Sequence, residues 1–82
     1  MKPDQIENQI SSKLNCKTIS VDGDGVHFEA KVVSDSFIGL NRVARHKLIY
    51  NALGDKMKEE IHAISIKTYT EKEWKEKLSG KI

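Results

Sequence analysis

Two histidines, His27 and His62, and three cations, Arg42, Arg45 and Lys47, have the types and spacing to do chemistry in this chain. Imidazole titrates near neutrality and is a common metal ligand. Two imidazoles are too few for a closed structural zinc site, which takes four ligands. A pair at one accessible edge fits instead a metal or cluster whose remaining ligands come from a partner. The plainer alternative makes His27 an outward-facing strand residue and His62 a cap on the helix ending at Ile61.

The cations lie in Leu40-Asn41-Arg42-Val43-Ala44-Arg45-His46-Lys47-Leu48-Ile49-Tyr50, which holds no acid. A helix so charged can contact phosphates from within a DNA groove. It can equally be a solvated face whose arginine stems cover apolar neighbours. His46 is read as a packed or capping residue. Cys16 is the only cysteine, so no intramolecular disulfide forms and a reducing compartment is implied. It has no sequence-local partner that marks a nucleophile.

The elements that must position these residues follow from periodicity. Pro3 suits a first helical turn, and Ile6, Ile10 and Leu14 make one stripe of a helix ending near Asn15-Cys16. Ile19 and Val21 belong to a first strand. Asp22-Gly23-Asp24-Gly25 is a turn, and Val26, Phe28, Ala30 and Val32 alternate along an antiparallel second strand. Ser34-Asp35-Ser36 breaks that pattern. Helical periodicity runs from about Leu40 to Ile61, with Ile49, Leu53, Met57 and Ile61 in one row and Ala44, Leu48 and Ala52 in another. Gly54 divides this stretch into a longer and a shorter helix.

Ile64 and Ile66 mark a third strand. Thr70 to Glu73 is a capping box that opens a last helix, with Trp74 and Leu78 one turn apart. Its pairs Glu71–Lys75, Lys72–Glu76 and Glu73–Lys77 have the spacing of helical ion pairs. The expected fold is α+β in the order α-β-β-α-α-β-α, a three-stranded mixed sheet with helices on one face. About 27 residues join the second and third strands, which predicts a parallel, right-handed crossover. Parallel strands start at one edge of the sheet, so His27 and His62 should converge beside the Asp22–Gly25 turn. One tension is visible: His62 is in phase with Ile64 and Ile66, His27 with exposed Glu29.

Composition bounds the function. The chain of 82 residues is read as one domain spanning 1–82, 38% hydrophobic and 32% charged, hence globular. Its net charge of +2 is too balanced to announce a nucleic-acid binder. Among five glycines there is no Gly-x-x-Gly phosphate loop. No apolar run reaches the roughly 18 residues of a membrane span. The N-terminus lacks the apolar core of a secretion signal. The expected location is the cytoplasm, or an organelle of bacterial ancestry if a transit peptide has been trimmed. The carboxylates show no pairing in a plausible cleft and a small compact core leaves little room for a substrate pocket, so no enzyme is expected.

Val33-Ser34-x-x-Phe37-x-Gly39, Arg42-Val43-x-Arg45-His46-Lys47-x-Ile49-Tyr50, and His62-Ala63-Ile64-Ser65-Ile66-Lys67-Thr68-x-Thr70 with Glu73-Trp74 resemble the signature of the BolA-like family. Within it, Gly23-Asp24-Gly25-x-His27-Phe28 is similar to the turn of a short bacterial branch. The resemblance implies a fold similar to class II KH domains and no enzymatic activity. It implies a monothiol glutaredoxin as partner and a [2Fe–2S] cluster shared in the complex, absent from the isolated chain. His62 matches the family's C-terminal histidine and His27 the histidine or cysteine of its hairpin loop, with glutaredoxin cysteine and glutathione supplying the other ligands. A role in iron–sulfur or iron homeostasis follows. The family is also described as transcriptional regulators. That alternative makes DNA the partner, the basic helix 40–53 the contact surface, and Arg42, Arg45 and Lys47 its residues. The free protein is expected as a monomer or weak homodimer.

Overall fold

The structure, a computed structural model, describes residues 2–61 and 63–79. His62 therefore lies outside the described residues, as does the side chain of Met57. The chain runs α1 (Pro3–Lys13), β1 (Thr18–Gly23), β2 (His27–Val33), a 3-10 turn at Asp35–Phe37, α2 (Arg42–Glu60), β3 (Ala63–Tyr69) and α3 (Glu71–Ser79). α2 is two helices in one run, divided at Gly54, whose φ of 80° and ψ of 162° no helix contains. The expected order α-β-β-α-α-β-α is the observed one.

The sheet order is β1-β2-β3. β1 and β2 are antiparallel with Val21 opposite Ala30, and β2 and β3 are parallel with Ala30 opposite Ile66. Those three side chains and Phe28 and Val32 are buried on one face, where they meet Ile6 and Ile10 of α1 and Ile49 and Leu53 of α2. The Gln9 side-chain amide donates to the Ala52 carbonyl at 3.0 Å and ties the two helices together. The other face carries Ser20, Lys31 and Lys67 in one row and Asp22, Glu29 and Ser65 in the next. Glu29 lies 3.4 Å from Lys67 and 3.8 Å from Lys31, so one acid is shared by two lysines.

Three local readings are corrected. Val26 belongs to the hairpin turn and not to the core row of β2, being 47% exposed. α1 ends at Lys13, short of Asn15, because Leu14 is already extended. α2 begins at Arg42 because Asn41 caps it, its side-chain oxygen accepting the Ala44 N–H at 2.9 Å. Leu78 is exposed on α3, unlike half-buried Trp74. The break at Ser34 is itself a junction. Its hydroxyl donates to the Asn15 carbonyl at 2.7 Å and accepts from the Ser36 amide, and its amide donates to the Tyr69 carbonyl. Ser34 is fully buried with these partners, and it sets Phe37 into the core.

Candidate functional site

The turn between β1 and β2 is built by Asp24. Its Oδ1 accepts the Val26 amide at 2.9 Å and the His27 amide at 2.8 Å, and Gly25 takes the positive φ of 99°. These amides, His27 first and Val26 second, hold the Asp24 carboxyl below its usual range. An aspartate three residues before the strand is a recognisable turn acceptor, yet its hold on His27 was not read from the sequence. The His27 imidazole is 75% exposed, with Nδ1 3.8 Å from Asp24 Oδ2. That contact occupies the Nδ1 side of the ring, and Nε2 is the ring nitrogen farther from the acid.

His27 opens β2 and is the Cα partner of Ala63, which opens β3. The expected parallel crossover is thus present, and it brings the start of β3 beside His27. Among the described residues, no three His, Cys, Asp or Glu side chains form a group able to hold a metal ion. An exposed imidazole on an anchored turn suits ligation completed from outside the chain. Cys16 does not: it is half-buried, donates to the Leu14 carbonyl at 3.3 Å, and burial pushes its thiol pKa up.

Gly23 keeps this corner tight. A Cβ at Gly23 would collide with the Phe28 ring and lie 2.6 Å from the His27 carbonyl oxygen. Gly23→Ala is expected to cost about 1–3 kcal/mol in urea unfolding, as overpacking does. It should also shift the His27 resonances. A cost under about half a kcal/mol, the range of an ordinary surface change, would show that the hairpin end yields freely.

The basic helix is placed differently from the three-cation reading. Arg45 is only 13% exposed, and its guanidinium grips Glu73 with N–O distances of 2.6 and 3.1 Å. Its Nε donates to the Leu40 carbonyl at 2.9 Å, and its carbon sits 5.8 Å from the Phe37 ring centroid. Every guanidinium nitrogen is engaged inside the protein. Glu73 also closes the capping box with Thr70, as expected, accepting the Thr70 amide at 2.8 Å. It therefore pairs with Arg45 where Lys77 was expected, while Lys77 donates to the Tyr69 hydroxyl at 2.7 Å. Glu71–Lys75 forms at 3.3 Å. Arg42 and Lys47 are exposed, but five residues apart on a helix they diverge by about 140°.

Comparison with known proteins comes down on one family. The profile described as BolA-like protein matches residues 1–73. The acid stress protein IbaG of Escherichia coli K12 is 35% identical over 83 residues, covering 98% of this chain and 99% of that protein. The DNA-binding transcriptional regulator BolA of Vibrio cholerae serotype O1 is 46% identical over 54 residues, which are 66% of this chain but 51% of that one. The structure of a bolA protein homologue from Coxiella burnetii superposes with a TM-score of 0.82 at 43% identity, covering 92% of this chain and 97% of its own.

Proposed function

Because this chain belongs to the BolA-like family, we propose that it is a non-enzymatic binding protein that partners a monothiol glutaredoxin and shares a [2Fe–2S] cluster with it. Its role would lie in iron–sulfur or iron homeostasis. The observation that carries this reading is the register of His27 with Ala63. Neighbouring strands lie about 4.8 Å apart and a peptide unit spans about 3.8 Å between Cα atoms, and His62 is bonded to Ala63. His27 and His62 are the two ligands proposed, with a glutaredoxin cysteine and glutathione completing the set. Imidazoles in place of two thiolates raise the potential of such a cluster. The chain's own part is to hold His27 on a turn that Asp24 orients, and to leave it open to the partner.

The test mixes the apo chain with a cluster-loaded monothiol glutaredoxin and records visible circular dichroism. The expected result is a new spectrum for the mixed complex. Losing an outer-shell partner of a metal ligand costs about 10–100-fold in affinity, so His27→Ala and His62→Ala should each cost at least that against a chelator. A spectrum that mixing leaves unchanged, or one that both variants reproduce, would sink the reading.

The alternative function, DNA-binding transcriptional regulation, draws on the name of the Vibrio cholerae relative and on exposed Arg42 and Lys47. Phosphate contacts would show as affinity falling steeply with salt. The internal pairing of Arg45 and the divergence of the other two cations make it the second reading.

A further inference from the structure

β3 is an edge strand: among the described residues it pairs with β2 and no strand lies on its other side. In a parallel ladder the amide and carbonyl of one residue turn to the same neighbour, and successive residues turn to opposite ones. The Tyr69 carbonyl accepts the Ser34 amide at 2.9 Å, so Tyr69, Lys67 and Ser65 turn toward β2. The backbone groups of Thr68, Ile66 and Ile64 therefore point to the open side. Along that side runs a cleft of about 360 Å³, lined by Ser65 through Tyr69 and walled by Arg42 and His46 of α2. Consecutive strand residues alternate between faces, so a cleft lined by five of them in a row follows the strand edge. It adjoins a second hollow of about 520 Å³ that shares Arg42, Thr68 and Tyr69 and reaches Lys77 and Glu76 of α3.

The charge of this trough is one-sided. Arg45 and Glu73 neutralise each other and Lys67 already lies 3.4 Å from Glu29, which leaves Arg42 and Lys77 against Glu76. Among the described residues, the side chains of Arg42 and His46 make no hydrogen bond or ion pair. An unpaired strand edge with spaced amides and carbonyls, beside the cations Arg42 and Lys77, suits a backbone of the same kind carrying acids. We propose that the outer edge of β3 takes up an extended acidic segment of a partner protein as a fourth strand, with its carboxylates met by Arg42 and Lys77. A single strand of nucleic acid fits less well, because it needs open aromatic faces. The Tyr69 ring packs on Trp74 at 5.1 Å and is covered by the Lys77 ammonium at 4.8 Å. This surface does not involve His27 or His62, so it stands or falls independently of cluster sharing.

The experiment titrates the ¹⁵N-labelled full chain with an eight-residue peptide alternating glutamate and valine, at up to millimolar concentration. A lysine–valine peptide and an octathymidylate run alongside. The acidic peptide is expected to shift the Ile64, Ile66 and Thr68 amides and slow their hydrogen exchange, and the lysine peptide to do neither. Arg42→Glu should weaken the acidic peptide about tenfold without lowering the thermal midpoint, since Arg42 is exposed and opens α2, where an acid is favoured by the helix dipole. Three results would overturn the proposal. One is silence of the β3 amides with the acidic peptide. Another is a stronger response of the same amides to octathymidylate, which would make the edge a nucleic-acid site. The last is protection that rises with protein concentration in the absence of peptide, which would give the edge to a second copy.

Discussion

Phe37→Ala is expected to lower the unfolding free energy by about 3–5 kcal/mol, the usual range for deleting a buried aromatic side chain. At 0.05–0.15 kcal/mol per residue, a domain of 82 residues holds only about 4–12 kcal/mol in all. At the lower end of that range this one change would leave a large unfolded fraction at room temperature. Phe37 has no exposed surface and belongs to the core cluster shared by α1, α2 and the sheet. It sits at the end of the 3-10 turn that Ser34 anchors, so its loss also frees the link from β2 to α2. Phe37→Leu keeps most of the volume and should cost about 1–2 kcal/mol. Urea unfolding followed by circular dichroism measures both variants. A loss below about 1 kcal/mol for Phe37→Ala would mean the core closes over the cavity without difficulty.

Arg45→Ala is expected to cost about 2–3 kcal/mol, because it strands a half-buried carboxylate and removes the cover from Phe37. Glu73→Gln should cost about 1–2 kcal/mol, and a double-mutant cycle should return about 1 kcal/mol of coupling between them. These figures are held down because the Glu73 side chain is 44% exposed and water screens the pair. The Arg45 guanidinium first, and the Thr70 amide second, draw the Glu73 pKa down from 4.5 to about 2. A carboxyl depressed in the folded state adds stability above its unfolded value, and the native protein loses it as pH falls from about 4.5 toward 2. Asp24 and Glu71 are also depressed, so acid sensitivity should be compared between parent and variant. In Arg45→Ala the part of the acid-induced loss that belongs to Glu73 should shrink. If Arg45→Ala weakens DNA binding while stability and acid response stay at parent values, Arg45 is a contact residue and its internal pairing carries no weight.

Much of the architecture is a consequence of short-range rules acting on neighbours in the chain. Alternation from Phe28 to Val32, the glycines of the hairpin, the left-handed Gly54 and the Thr70–Glu73 box each concern residues a few positions apart. Their geometry is set by backbone sterics and by which face must be dry. The parallel placement of β3 beside β2 was legible too, because a long helical connection leaves little choice. Family membership was legible for a similar reason, as ordered motifs spread from Val33 to Trp74 survive without any knowledge of contacts.

The roles of the site residues were a different matter. Arg45 looks like its neighbours Arg42 and Lys47 in the sequence, yet it alone of the three is drawn inside, to an acid 28 residues away. That pairing depends on how α2 and α3 are mounted on the core, which no local pattern encodes. The same holds for the open edge of β3, which became a trough only once α2 crossed beside it. The amino-acid order by itself determined which elements form and which family they compose. Only the tertiary packing decided which charges are left for partners, because a charge is available only where folding has not already supplied its counter-ion.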